Sequence, residues 1–293
     1  MRYFLTSLIL STVSIILTAQ VQVGMVSSDG KQKNFTSTDL IRIKNSRVII
    51  DVPASCKPAF QTAFQNAWTI SEFAFADEAE TSSNGQLVHC GLSIRPGENR
   101  QNFRTFCEFT MKNHSGKNIQ IASLPVQLKP SLNETLVKQP EDSNLKTVLY
   151  KSGEFHNLHP SFLTLNLKAI NNTLSLGKTI WFNEDVTRPT VLSGLAGSQL
   201  FIPTYCLLKP DYFRGTEEIM NKSKLLKKYS YSWKSGSTPD TDNRFIFLSA
   251  QTGSNMYISI IDNLTGQVIY QNRNQNQYYL KRSDFKNIAK AIG

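Results

Sequence analysis

Three residues in the middle of the chain, Glu154, His156 and His159, form its only sequence cluster of metal-type ligands. Imidazoles and carboxylates bind zinc or copper when at least three converge, and they can also act as the acid and base of a hydrolase. Pro160 favours an extended backbone at His159, and in an extended segment His156 and His159 point to opposite faces. We therefore interpret the segment as a surface loop, expect no metal or cofactor, and keep the three residues as weak catalytic candidates.

Motifs for nucleophilic catalysis are missing from the sequence, which contains neither Gly-x-Ser-x-Gly nor His-Glu-x-x-His. Ser-x-x-Lys occurs, but no Ser-Asp-Asn or Lys-Thr-Gly accompanies it, so we attribute these matches to chance. A hydrolase would have to assemble its site from residues that are distant in sequence. The motifs leave enzymatic activity open and favour a protein that is not an enzyme.

A group of aromatic and basic residues near position 230 is the best candidate for a binding surface. The group consists of Tyr229, Tyr231, Trp233, Lys227, Lys228 and Lys234. In a strand the three aromatic residues share one face, and aromatic rings beside lysines can stack on sugars or unpaired bases. The alternative is an aromatic face buried in the core.

Four cysteines, Cys56, Cys90, Cys107 and Cys206, suggest two disulfides if the chain is exported. Two alternating segments flank a turn-rich stretch at 96–100, and this pattern predicts a hairpin in which Cys90 and Cys107 stand directly opposite each other. That pairing leaves Cys56 and Cys206 to link the N-terminal and C-terminal parts. The alternative is four buried free thiols, and a zinc site is not expected because no Cys-x-x-Cys occurs.

The first nineteen residues have the layout of a secretory signal peptide. Arg2 precedes an uncharged apolar run at 5–17, and Ala19 offers a small residue for cleavage. The run has about 13 residues, fewer than the roughly 20 that span a bilayer. We predict cleavage, with a retained N-terminal anchor as the alternative. The body is then expected to be periplasmic, cell-surface or extracellular, with membrane contact only through an uncleaved leader.

The chain is basic, with 32 Lys and Arg against 22 Asp and Glu and a formal net charge of +10. A positive surface favours anionic partners. The lysines are scattered and no run of five basic residues occurs, so a solvated surface is the simpler interpretation and nucleic acid is not expected. The predicted partner is an unknown protein or an anionic glycan.

Six Asn-x-Ser/Thr sequons make the chain a possible glycoprotein. They start at Asn34, Asn113, Asn133, Asn171, Asn221 and Asn263. In a eukaryotic or viral secretory route they would be glycan acceptors. In a bacterial protein they would have no such meaning.

The hydrophobic pattern predicts a mainly β fold of antiparallel, sandwich-like sheets with a few helices, and an α+β fold is the alternative. One amphipathic helix is predicted from Pro58 to Phe75, and most segments after residue 86 alternate with a period of two. Alternating runs at 161–170 and 173–182 predict a hairpin. A second helix is predicted to begin near Thr216, and a short one to end the chain.

The polar, Pro-containing stretch at 129–146 predicts a linker or long loop. It would separate an N-terminal helix-plus-β unit at 20–128 from a C-terminal β-rich unit at 147–293. The alternative is one domain with a long loop.

The leader, the cysteines and the missing catalytic motifs together predict an exported, non-catalytic binding or assembly protein. A secreted hydrolase and a glycan- or polyanion-binding module remain the alternatives.

Overall fold

The computed structural model shows a protein that is largely sheet with helices, an α+β architecture. Its strands form a seven-stranded sheet, a six-stranded sheet and a two-stranded ribbon. The structure describes residues 21–78, 86–96, 103–138, 145, 147, 150, 155–182, 186–212, 214–226, 229–240 and 242–292. The predicted leader at 1–19 lies outside these residues.

The first sheet has the strand order β2-β1-β7-β6-β5-β3-β4. Its strands are β1 (Gln22–Val26), β2 (Gln32–Lys33), β3 (Arg47–Asp51), β4 (Glu72–Phe75), β5 (Leu87–Pro96), β6 (Phe103–Lys112) and β7 (Asn118–Pro125). Strand β3 runs parallel to β4 and β5, and the other pairs are antiparallel. These parallel pairs are exceptions within the mainly antiparallel arrangement that the sequence predicts. They arise because helices cross between neighbouring strands.

Helices α1 (Ser37–Lys44) and α2 (Lys57–Ala67) precede and follow β3 in the chain. Helix α1 begins with a capping box between Thr36 and Asp39. Helix α2 has Pro58 in its first turn, as expected, but ends at Ala67 rather than near residue 75. Its Phe64 and Trp68 rings contact the Phe109 ring of β6. The helix therefore covers the apolar face of the first sheet.

The predicted hairpin over 161–182 is wrong, because the chain forms one helix there, α4 (Pro160–Ser175), preceded by α3 (Pro130–Lys138). Helix α4 is buried on almost every side and packs against α2. Leu163, Leu165 and Leu167 alternate with polar residues, and the helix also buries Asn166 and Asn171, so the hydrophobic pattern alone could not separate a strand from a helix here.

Helix α3 lies inside the stretch predicted as a linker or long loop. It buries Leu132 and Leu136 in the core, and Asn133 accepts a hydrogen bond from the Phe103 amide at 3.2 Å. Part of that stretch is therefore packed structure rather than loop. The division of the chain into two units stays a prediction.

The second sheet has the strand order β12-β9-β13-β14-β15-β8. Its strands are β8 (Val186–Thr187), β9 (Gln199–Pro203), β12 (Ser232–Gly236), β13 (Phe245–Thr252), β14 (Asn255–Asp262) and β15 (Gln267–Gln275). A separate ribbon pairs β10 (Leu208–Asp211) with β11 (Thr216–Ile219). Three helices complete this half: α5 (Pro189–Leu192), α6 (Lys222–Leu225) and the predicted C-terminal helix, α7 (Arg282–Ile292).

The two sheets meet where β6 approaches the turn between β13 and β14. The Thr105 amide donates to Thr252 Oγ1 at 2.7 Å, and the Gly253 amide donates to the Phe103 carbonyl at 3.0 Å. Buried apolar side chains of both sheets belong to one contiguous cluster. The two sheets therefore pack on one shared hydrophobic core.

Candidate binding cleft

An open cleft of about 630 Å³ lies beside the β10–β11 ribbon. It is lined by Lys209, Pro210, Asp211, Tyr212, Arg214, Thr216, Glu217, Glu218, Tyr278 and Tyr279. The ribbon supplies most of its polar side chains, and the segment before α7 supplies two tyrosines. The cleft therefore combines charges of both signs with aromatic rings.

Charged side chains in the cleft occur as pairs. Lys209 Nζ lies 2.9 Å from Glu218 Oε1, and Arg214 Nε lies 3.6 Å from Asp211 Oδ2. The hydrogen bond to Glu218 raises the pKa of Lys209. Lys209 Nζ also stands 5.6 Å from the centre of the Tyr279 ring. This pairing leaves little uncompensated charge to attract a strongly charged ligand.

The tyrosines of the cleft differ in exposure. Tyr212 is buried, and its hydroxyl donates to Gln251 Oε1 on β13. Burial holds the pKa of Tyr212 above its ordinary value, so the hydroxyl keeps its proton. Tyr278 is 39% exposed, and Tyr279 is half-buried. Tyr212 thus anchors the cleft to the second sheet, while Tyr278 and Tyr279 offer surface to a ligand.

His156 is next to this cleft and pairs with one of its carboxylates. Its Nε2 lies 2.6 Å from Glu217 Oε1, and only 9% of its side chain is exposed. The ring stacks on Tyr205 with centroids 6.1 Å apart, and the backbone amide donates to the Gln127 carbonyl. His156 is therefore fixed by contacts on several sides.

His159, the second candidate histidine, has a different position and role. It precedes α4, and its Nδ1 accepts a hydrogen bond from the Ser161 amide at 3.3 Å. Burial lowers the pKa of His159, which favours the neutral ring that this acceptor role requires. The two histidines thus serve different partners, and Glu154 lies outside the described residues.

The aromatic set near position 230 is packed into the protein rather than displayed. Tyr231 is buried, its ring stacks on Tyr229 at 5.6 Å, and its hydroxyl lies 3.4 Å from the Phe285 carbonyl. Trp233 is half-buried on β12. The burial of Tyr231 agrees with the alternative interpretation, an aromatic face buried in the core, and leaves its ring little surface for a ligand.

The lysines predicted to flank these aromatic rings form no basic patch among the residues that the structure describes. Lys234 pairs with Asp240, with Nζ and Oδ2 2.8 Å apart. Lys227 and Lys228 lie outside the described residues. Of the predicted binding set, only the half-buried rings of Tyr229 and Trp233 and the paired Lys234 reach the described surface.

All four cysteines are buried free thiols in the structure. Cys90 and Cys107 share the buried face of β5 and β6, but Leu92 rather than Cys90 stands opposite Cys107. The predicted register was therefore wrong, although the two sulfur atoms are neighbours. Cys56 directly precedes α2, whereas Cys206 lies beside Ser249 on β13, so the structure offers no support for the pairing of Cys56 with Cys206.

Sequence reasoning missed the cleft because it assigned Glu217 and Glu218 to the first turn of a helix. In the structure both lie on β11. Gly215 provided a signal that the prediction did not use: it adopts φ +63° in the turn that reverses the chain between β10 and β11. A ribbon assignment would have placed Lys209 opposite Glu218.

Comparison with protein-family models, with curated proteins and with solved structures gives no match to this chain. Within the described ranges, no group of three His, Cys, Asp or Glu side chains is arranged to hold a metal ion. No helix formed by the described residues has the length and apolar character that crossing a membrane requires.

Proposed function

We propose that the protein is an exported, non-catalytic binding protein and that the cleft beside the β10–β11 ribbon binds a neutral glycan. The observation that carries the proposal is the convergence of two accessible tyrosines, Tyr278 and Tyr279, with paired charged groups in one concave site. Concave sites that combine aromatic walls with a few polar groups are the usual form of small-ligand sites.

The aromatic wall suits the shape of a sugar. One side of a pyranose ring presents C–H groups, and a tyrosine ring offers a flat apolar face with a polar hydroxyl at its tip. Tyr278 is the more exposed ring, and the Tyr279 ring lies beside the ammonium group of Lys209. A sugar stacked on these rings would have its hydroxyls turned toward the ribbon.

The polar wall suits neutral hydroxyl groups better than a charged ligand. Carboxylate oxygens of Asp211 and Glu218 accept hydrogen bonds, and Lys209 and Arg214 donate them. Because each carboxylate already lies beside a cation, a sugar hydroxyl can join the pair without leaving a charge uncompensated. A strongly anionic ligand would meet Glu217 as well as these two carboxylates.

A hydrolase is the second candidate function, and the pair between His156 and Glu217 is the observation that favours it. An imidazole held by a carboxylate can act as a general base. The stacked and largely buried ring of His156 argues for a structural role, since a catalytic ring must reach the substrate. Export is supported by the composition of the leader alone.

Binding to an array of neutral oligosaccharides, followed by calorimetric titration with the best ligand, tests the proposal. Tyr278→Ala and Tyr279→Ala should each weaken binding by about 1 kcal/mol, roughly fivefold, because each removes one stacking face. Leu264→Ala is the matched control, since Leu264 is 72% exposed and lies outside the cleft. It should leave the affinity unchanged.

Two outcomes would count against this proposal. If no neutral glycan binds, or if the tyrosine variants bind as well as the control, the cleft is not a glycan site. If the glycan is cleaved during prolonged incubation and His156→Gln stops the cleavage, the protein is a hydrolase rather than a non-catalytic binder.

A further inference from the structure

A second groove, of about 730 Å³, lies on the first sheet, far in sequence from the ribbon. It is bounded by α1, by β5 and by the turn that joins β6 to β7. Arg42, His89, Lys112 and His114 line it, and none of its lining residues is Asp or Glu. The groove is therefore a basic concavity without a resident carboxylate.

Arg42 is fixed at the wall of this basic groove. Its Nη2 donates to Gln86 Oε1 and to the Lys112 carbonyl, both at 2.7 Å, and its Nε lies 3.2 Å from the same Gln86 oxygen. Its Nη1 is buried and has no acceptor among the described residues. All of these acceptors are neutral, so the guanidinium keeps its full charge beside the groove.

The turn that carries His114 is rigid. The Asn113 side-chain oxygen accepts hydrogen bonds from the amides of Ser115 and Lys117, both at 2.9 Å. Gly116 takes φ +76° and closes the turn with a bond to the Asn113 carbonyl at 3.0 Å. His114 thus lines the groove from a turn whose backbone is held by hydrogen bonds, which limits the entropic cost of ordering that backbone on binding.

The other basic side chains of the groove have no partner in the described part of the chain. His89, Lys112 and His114 make no side-chain hydrogen bond or ion pair with any described residue. Some other exposed cations have partners, as Arg95 does in Glu108 and Lys209 does in Glu218. Arg42 and Lys112 therefore bring positive charge to the groove that no lining carboxylate offsets.

The acidic groups on α1 and β6, two elements that bound the groove, are already engaged. Asp39 on α1 accepts hydrogen bonds from both the amide and the hydroxyl of Thr36. Glu108 on β6 pairs with Arg95, with its Oε1 2.7 Å from Arg95 Nη2. Neither acid lines the groove, so neither cancels the field of Arg42 and Lys112 there.

We propose that this groove binds a phosphate group, as a phosphate ester or a condensed phosphate. Donors from three separate elements surround one space, an arrangement that suits a compact, tetrahedral anion with several oxygen acceptors. Thr110, Asn113 and Asn118 add neutral donors to the lining. The groove has room for more than one phosphate group. This site is independent of the glycan cleft, and either proposal can fail without the other.

Titration calorimetry at low salt with inorganic phosphate and with pyrophosphate tests the site directly. Lys112→Glu should weaken pyrophosphate binding about tenfold or more, because it replaces an unpaired cation with an anion. His114→Gln should weaken binding less. Lys286→Glu, on the exposed face of α7, makes the same charge change on the other sheet and should leave the affinity within about twofold.

Sedimentation with vesicles separates the two sources of a phosphate group. A lipid headgroup is identified if the protein binds phosphatidylglycerol vesicles but not phosphatidylcholine vesicles, and if Lys112→Glu abolishes this binding. In that case pyrophosphate should show no saturable binding. Saturable pyrophosphate binding with the same variant pattern identifies a soluble phosphate. If none of these probes binds, or if Lys286→Glu weakens binding as much as Lys112→Glu, the groove is not a phosphate site.

Discussion

The sulfur atoms of Cys90 and Cys107 lie 3.6 Å apart on the buried face of the first sheet. The two residues are diagonal neighbours, since Cys90 stands opposite Phe109 and Cys107 stands opposite Leu92. A disulfide requires about 2.05 Å between its sulfur atoms. Small movements of the two side chains and strands would therefore bring the thiols close enough to form a disulfide.

Refolding in a glutathione redox buffer should join Cys90 to Cys107. We expect non-reducing mass spectrometry to show the loss of two hydrogen atoms and a crosslinked peptide pair that contains both residues. Cys206→Ser should retain this product, because Cys206 lies in the short 3-10 helix after β9, beside Ser249 of the second sheet. A product that joins Cys56 to Cys206, or an oxidised protein in which Cys90 is free, would contradict the expectation.

The native thiols should react slowly with external reagents. Burial raises the pKa of Cys206 to about 11 and raises the pKa of Cys56 and of Cys90. The thiolate is the reactive form, so these groups are almost fully protonated at pH 8 as well as hidden from solvent. Labelling with a disulfide reagent should be much faster in urea than in buffer. Rapid labelling of all four thiols in the native protein would show that the core opens easily.

The alternation along β5 and β6 was enough to predict which side chains are buried, but it was not enough to predict their register. Val88, Cys90 and Cys107 face the core as expected. The register depends on the turn, and a turn-rich segment does not specify its own length. A register shift of two residues keeps Cys90 and Cys107 on the same face. The sequence therefore predicted that the two residues are close, although it did not predict their cross-strand partners correctly.

Long-range contacts explain what the sequence did not show. Helix α4 is defined by its packing on α2 and by the bond from the Thr69 amide to Asn171, residues about a hundred positions apart. The basic groove likewise joins Arg42 to the carbonyl of Lys112. Neither arrangement has a local pattern, so no motif search could find them.

Aromatic packing between α2 and the first sheet should contribute strongly to stability. The Trp68 and Phe109 rings stack with centroids 5.5 Å apart, and both residues are buried. Trp68→Ala should lower the free energy of unfolding by about 3–5 kcal/mol, measured by urea denaturation. Leu176→Ala, at a position 56% exposed, should change it by no more than about 0.5 kcal/mol. Equal effects of the two variants would contradict this packing.

Asp284 holds together the start of α7. Its carboxylate accepts hydrogen bonds from Gln277 Nε2 and the Lys281 amide, both at 2.7 Å, and from Asn274 Nδ2 at 3.1 Å. Removing it in Asp284→Ala leaves these donors without an acceptor, so we expect the free energy of unfolding to fall by about 2 kcal/mol. Ser283→Ala, at the exposed neighbouring position, is the control and should have a smaller effect.

The same carboxyl group should give the protein a distinctive pH dependence. Burial raises the pKa of Asp284 above its ordinary 3.8, so the folded state holds this proton more tightly than the unfolded state does. The part of its contribution to stability that depends on protonation is therefore fully present below pH 3.8 and is lost as the pH rises through the folded-state pKa. Asp284→Asn removes the titration while the other carboxylates remain. The difference in unfolding free energy, wild type minus variant, should therefore decrease from pH 3.5 toward pH 7 and then level off. A difference that rises with pH would contradict this expectation. It would show that hydrogen bonds stabilise the carboxylate more than burial destabilises it.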